Sequence, residues 1–174
     1  MNQRNKNFAL TNNPARSGKI REISATAQKD KAGRPIPVDV RVSRLLTGRS
    51  VKSDRLIVLL RDGLPVGSFE RVRKGMGIKN DEILLNIIGM SPRTYARRKE
   101  SNHTLTSIES DRLYRLAKIE SHAETVFGDQ ATANDWLQSY NRALGFTPLE
   151  MLDTEAGTDR VERVLTRIEH GVYS

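Results

Sequence analysis

The sequence predicts an all-α protein. Three observations carry that expectation. After residue 50, apolar side chains recur every three or four positions, and no two alternating stretches offer themselves as paired strands. Ser, Thr, Asn or Asp stands at the head of most apolar runs, where a helix needs an N-cap. Glycine or proline closes those runs. The expected architecture is a helix-turn-helix bundle followed by a small second helical domain, with a flexible basic arm in front.

The arm comes first. Roughly the first 35 residues are polar and basic, carry scattered Asn, Ser, Gly and Pro, and show no sustained period, so they are expected not to pack. In PIPVDVRVSRLL the side chains of Val38, Val40 and Val42 alternate, which predicts one isolated strand or an extended linker. Residues 1–53 are therefore assigned to a basic, largely disordered arm.

From there helices follow in order. Asp54 is placed to cap a helix carrying Leu56, Ile57, Leu59 and Leu60, which Gly63 and Pro65 stop. Ser68 opens a short helix through Phe69, Val72 and Met76. Asn80 and Asp81 introduce DEILLNII, which ends at Gly89, and Ser91 caps PRTYARRKE with Pro92 at the first helical position, where its missing N–H costs nothing. Thr106 and Glu109 have capping-box spacing ahead of a helix of about six turns that ends at Gly128. Asp129 starts the next helix, with Trp136 and Leu137 inward. Thr147, Pro148 and Glu150 start the single turn TPLEML, and a last helix built on Val161, Val164, Leu165 and Ile168 follows Thr154 and Gly157. Two domains are expected beyond the arm, over residues 54–105 and 106–174.

At 174 residues without cysteine, the chain is long enough for a core that needs no disulfide. Its longest apolar run, LIVLL, is far short of the roughly 20 residues of a membrane span, and no leader-like segment precedes it, so a cytoplasmic protein with no membrane partner is expected. The net charge of +8 is unevenly spread. Residues 1–53 carry 12 Lys and Arg against 3 Asp and Glu, residues 54–118 carry 13 against 8, and residues 119–174 carry 4 against 10. The segments stand at +9, +5 and −6, a gradient that suggests an anionic partner for the front and centre and a different one for the acidic end.

The centre has the form of a helix-turn-helix. In DEILLNIIGMSPRTYARRKES a first helix turns Ile83, Leu84, Ile87 and Ile88 to the core, a glycine allows the sharp turn, and a second helix exposes a basic surface. Ser91, Arg93, Thr94, Tyr95, Arg97, Arg98 and Lys99 are the candidate DNA-binding residues. Arginine can fork onto a guanine edge or a phosphate, and the capped helix amino terminus can hold a backbone phosphate. The same shape also occurs in scaffolds that never meet nucleic acid. Other constellations fail: His103, His122 and His170 lack metal-ligand spacing, and the GMG and SGK stretches lack the rest of a phosphate loop. No nucleophile stands with a base, so no metal, no cofactor and no enzymatic activity are expected.

The closing residues RIEHGVYS place a valine and a tyrosine where most chains fray. The last third of the chain closely resembles the toxin-binding domain of the Xre/MbcA/ParS family of antitoxins. The matches are Val126-Phe127-Gly128-Asp129, Trp136-Leu137, Asn141 with Ala143-Leu144-Gly145, Thr147-Pro148-Leu149-Glu150, and Arg167-Ile168-Glu169 with Gly171-Val172-Tyr173. Upstream, GMSPRTYARRK and ESDRLYRLAKI resemble that family's Xre-type helix-turn-helix, so the resemblance covers residues 54–174. Two positions depart from the family pattern: Tyr140 stands where the family has proline and Phe146 where it has a second glycine, which makes that loop bulkier.

The resemblance implies a partner, a RES-domain toxin related to ADP-ribosyltransferases that consumes NAD or transfers from it, which the antitoxin silences by direct binding. It further implies homodimerisation and repression of the shared operon through operator DNA. On that resemblance Arg167, Ile168, His170, Gly171, Val172, Tyr173 and Ser174 are the candidate toxin-binding residues, because a projecting tail with a glycine hinge and one aromatic ring can enter a concave cofactor site. The alternative is that Val172 and Tyr173 fold back on the last helix as an ordinary end contact. Phe127 and Trp136 are expected to be core anchors. The competing function is a stand-alone helix-turn-helix transcription regulator without a toxin; a third is an RNA- or nucleoid-binding protein that uses the arm.

Overall fold

A computed structural model describes Arg34 and residues 36–171. Expectations that fall on residues 1–33 and on Val172, Tyr173 and Ser174 lie outside the described residues. Among the described residues there are eight α-helices and no strand ladder: α1 (Val38–Thr47), α2 (Ser53–Asp62), α3 (Gly67–Gly75), α4 (Asp81–Ile88), α5 (Pro92–Glu100), α6 (Ser107–Phe127), α7 (Gln130–Gln138) and α8 (Glu155–Glu169), with a 3-10 turn at Leu149–Asp153 before α8. The all-α class stands.

The long helix α6 organises the rest. α1, α2, α3 and α4 pack on it from one side of the sequence, and α7 and α8 from the other. Its face of Leu113, Leu116, Ala117, Ile119 and Ala123 is fully buried at the centre of one continuous apolar core. The 3-10 turn also packs against α4, and Leu149 and Leu152 are buried there, so the amino-terminal and carboxyl-terminal halves share a contact apart from α6.

Most helix starts are where local chemistry places them. The Asn80 side chain accepts from Glu82 N, Ser91 from Thr94 N, Asp129 from Thr132 N and Thr154 from Gly157 N. Thr106 and Glu109 form a reciprocal capping box. Gly89, with φ of 77°, takes the left-handed conformation that ends α4 and lets α5 follow at once. Gly63, at φ of 96°, lets residues 63–66 lie against 103–105: a Cβ there would run into the Leu105 carbonyl oxygen, while Leu105 N donates to Leu64 O at 2.8 Å.

Four local expectations need correction. Val38–Thr47 is a helix, neither strand nor extended linker, although it falls in the segment assigned to the arm. Its Arg41, Val42, Ser43 and Leu46 are buried against α6 and α3, a helical spacing that the Val38, Val40, Val42 alternation conceals. Ile83 is 41% exposed, and Leu85 takes the core position in its place. Asp54 lies inside the first turn of α2, whose N-cap is Lys52 with no side-chain cap bond. Ser68 does not open α3; it is buried one residue inside it, where its hydroxyl accepts from Arg71.

Candidate functional site

Two surfaces hold the residues singled out by the sequence. The first is α5. Ser91 Oγ accepts from Thr94 N at 3.1 Å and Pro92 follows at the first helical position, so this amino terminus is capped from within. Tyr95 is not exposed as expected but 6% exposed, with its ring 4.5 Å from that of Phe69. An amphipathic helix of nine residues must bury something, and Tyr95 is the one buried side chain of α5.

The Tyr95 hydroxyl donates to Glu70 on α3 at 2.6 Å. Glu70 also accepts from Lys99 Nζ at 3.1 Å and from Arg73 at 3.0 Å. The Tyr95 hydrogen bond, with those of Lys99 and Arg73 and against the penalty of burial, holds the Glu70 carboxyl down at about 2. Burial first, and then the hydrogen bond to Glu70, raises the Tyr95 phenol. Arg98 is also tied down: it pairs with the Glu109 carboxylate, which accepts from Thr106 N at 2.7 Å in the capping box of α6. Burial disfavours ionised Glu109, but the bonds from Thr106 and Arg98 outweigh it and lower its pKa.

The basic face of α5 is thus divided. Tyr95 and Arg98 fasten the helix to α3 and α6, and Lys99 is half in each role, exposed yet bonded to Glu70 and 5.5 Å over the Tyr95 ring. Arg93 and Arg97 are exposed, and neither guanidinium has an ion pair or hydrogen bond among the described residues. Being four apart, they lie on one side of the helix and can meet one anionic surface together. Thr94 is half-buried at the capped end.

The second surface is the far end of α8. Val161 and Leu165 are fully buried, and Ile168 and Val164 half-buried, while Arg167, His170 and Gly171 are exposed. Two polar contacts hold this helix to α6: Lys118 Nζ to Glu162 at 2.9 Å, and His122 Nε2 to Glu169 at 3.2 Å. Gly171 is left-handed, with φ of 68°, and among the described residues no atom beyond its chain neighbours lies within 4 Å of where a Cβ would stand. Nearby, Phe127 and Trp136 pack together, half-buried, with ring centres 5.4 Å apart, as core anchors. The two surfaces share α6 but are not one pocket. Among the described residues no three His, Asp or Glu side chains converge as metal ligands, and no helix is long and apolar enough to cross a membrane.

The sequence reading missed the acidic groups that organise the basic helix. Glu109 carried a signal, its capping-box spacing, but not its second role as the partner of Arg98. Glu70 carried none, since it stands 25 residues from Tyr95 and on another helix. The buried Arg41 on α1, whose guanidinium reaches Glu124 at 3.6 Å and bonds the Thr125 hydroxyl, was likewise invisible.

Known proteins are similar to this chain over most of its described length. Residues 55–118 match the antitoxin Xre-like helix-turn-helix domain, and residues 122–171 match the antitoxin Xre/MbcA/ParS C-terminal toxin-binding domain. The two spans meet inside α6. Antitoxin Xre of Photorhabdus laumondii is 35% identical over 127 residues, 72% of this chain and 85% of that protein. Antitoxin Xre of Pseudomonas putida is 45% identical over 80 residues, 45% of this chain and 50% of that protein. A protein of Sphingobium named Prs ADP-ribosylating antitoxin is 24% identical over 136 residues, 72% of this chain and 84% of that protein. With both surfaces on a fold that joins a helix-turn-helix to a toxin-binding domain, the chain belongs to the Xre family of antitoxins.

Proposed function

We propose that this antitoxin neutralises a RES-type toxin, which consumes NAD or transfers ADP-ribose from it, by filling the toxin's active site, and that as a homodimer it represses its own operon by binding operator DNA. Its action is steric, without catalysis. Residues 54–105 serve DNA binding and dimerisation, and residues 106–174 serve the toxin.

The carrying observation is the way α8 ends. Its last fully buried side chain is Leu165, and beyond it Arg167, His170 and Gly171 face solvent while Glu162 and Glu169 hold the helix to α6. A helix end fixed on one side and open on the other gives the residues that follow a defined starting point, and an ordered start lowers the entropy lost when a tail docks. A toxin that binds an anionic dinucleotide must present cations or N–H donors in its cleft, and the acidic residue balance of 119–174 suits such a neighbour. The ADP-ribosylating antitoxin among the relatives supports that class of partner. On the other surface, Arg93 and Arg97 are the two candidate phosphate or base contacts of α5 not spent on internal bonds.

The test is deletion of Gly171–Ser174. The shortened protein is expected to keep its melting temperature and oligomeric state and to lose protection of cells that express the toxin encoded in the adjoining reading frame. Retained protection overturns the tail as the plug. A chain with no such neighbour and no toxin to neutralise is the stand-alone regulator instead.

A further inference from the structure

The chain has nine aromatic residues. Of the seven described, Phe69 and Tyr95 are buried, Tyr114, Phe127 and Trp136 are half-buried against the core, and two face water: Tyr140 at 68% exposure and Phe146 at 57%. Both stand in one turn between α7 and the 3-10 turn. Large aromatic rings in water are poor choices for solubility alone, and their pairing in one place marks a contact surface.

The turn that carries them is stiff. Asn141 N donates to Phe146 O at 3.0 Å, and Gly145 N returns to Asn141 O at 2.8 Å. The Asn141 side-chain oxygen accepts from Ala143 N at 2.9 Å and from Leu144 N at 3.2 Å. Leu144 is buried beneath, and the reciprocal bonds of Thr147 and Glu150 fix the exit, with Thr147 N to Glu150 Oε2 at 2.9 Å and Glu150 N to Thr147 Oγ1 at 3.2 Å. The two rings are presented from a backbone that has already lost its freedom. Aromatic side chains with two rotatable bonds on such a backbone dock at low entropic cost, which is how binding hot spots are built.

We infer that Tyr140 and Phe146 form a second contact with the toxin, apart from the α8 end, in which the two rings enter apolar depressions on the toxin surface outside its catalytic cleft. The inference rests on the proposed reading of the chain as a toxin-blocking antitoxin. Three observations select the toxin over a second copy of this chain. The turn lies inside residues 122–171, the span that matches a toxin-binding domain. Residues 119–174 carry 10 acidic against 4 basic side chains, so two such segments repel each other while a cation-bearing partner attracts them. Of the four other exposed large apolar side chains among the described residues, three, Ile57, Val58 and Ile108, sit on α2 and at the start of α6, which gives a second copy a surface of its own.

The experiment measures binding of the full chain to a catalytically inactive form of the RES-domain protein encoded beside it. The variants are Tyr140→Ser, Phe146→Ser, the double serine variant and Tyr140→Phe. Each single serine is expected to weaken binding about 10- to 30-fold and the double variant about 100-fold or more, chiefly through faster dissociation, while Tyr140→Phe stays near wild type. Melting temperature and oligomeric state are expected unchanged. A double variant that binds within about twofold of wild type overturns the inference; so does one that loses self-association in place of toxin affinity. If the tail deletion abolishes protection while the double variant still binds, the second contact fails and the plug stands. If the wild-type chain does not bind the RES-domain protein, the function proposed above fails with it.

Discussion

Tyr95 has an aromatic body in the core and a polar tip on a charge. Its ring packs on Phe69, and its hydroxyl donates to Glu70, the acceptor on which Lys99 and Arg73 also converge. Tyr95→Phe keeps the ring and removes the donor, so it is expected to cost about 1 kcal/mol at neutral pH. The sign of the pH dependence follows from Glu70, whose carboxyl is lowered from 4.5 to about 2. Stability from a lowered carboxyl is fully present above 4.5 and is lost as pH falls toward 2. The difference between wild type and Tyr95→Phe should therefore be largest above about pH 5 and shrink near about pH 3 in urea denaturation. An equal difference at both pH values would mean that the hydroxyl does not act on ionised Glu70. The sequence marked Tyr95 as a DNA contact because a tyrosine in a basic helix looks like one. What holds it inward is Glu70, together with Phe69, and no spacing along the chain connects either to it.

Among elements, the contrast lies between interactions that close within four residues and those that span the chain. The caps at Asn80, Ser91, Thr106, Asp129 and Thr154 are of the first kind, and the sequence reading placed the first four; it started the last helix after Gly157, which lies inside α8 behind the Thr154 cap. α1 is of the second kind. Its valines satisfy an alternating pattern as well as a helical one, and the choice is made 84 residues away, where Arg41 meets Thr125 and Glu124 beside Glu120 on α6. Glu120 is 2% exposed, and burial first, then repulsion from Glu124, lifts its carboxyl to about 7 against the weaker pull of Gln130, Ser121 and Arg41. A raised carboxyl binds its proton more tightly in the folded state. Stability is thus unaffected below 4.5, falls as pH rises from 4.5 to 7, and stays lowered above that. Glu120→Gln removes the charge and keeps the shape, so it is expected to match wild type near about pH 4.5 and to exceed it by up to about 3 kcal/mol at about pH 8. A gain of equal size at both pH values would place its cause in packing rather than ionisation. α1 lies outside both family-matched spans, the first of which begins at residue 55, yet it docks on α6 and α3 and so extends the core beyond the matched residues.

For the whole molecule the charge gradient and the two surfaces coincide. The basic balance falls on the side of the helix-turn-helix, and the acidic balance on the toxin-binding side, with α6 as the common member. One polypeptide can then meet a polyanion and a cation-lined cleft without either region screening the other, provided the contacts are local. In the proposed function Arg93 and Arg97 carry the DNA side of that arrangement, because Tyr95 and Arg98 are committed to Glu70 and Glu109. Each neutralised phosphate contributes about 0.9 to the slope of log affinity against log salt. Replacing both arginines with alanine should lower that slope on operator DNA by about 2 if one copy binds, and by about 4 if a two-fold dimer places both α5 helices on the duplex. Melting temperature should not move, since both side chains are exposed, and toxin affinity should not move if, as proposed, the toxin contacts lie outside α5. The size of the slope change therefore reports the number of α5 helices on the DNA, which ties the dimer to the operator in one titration. If the slope and the affinity are both unchanged, α5 faces something other than DNA, and the phosphate contacts belong to the basic residues before α1.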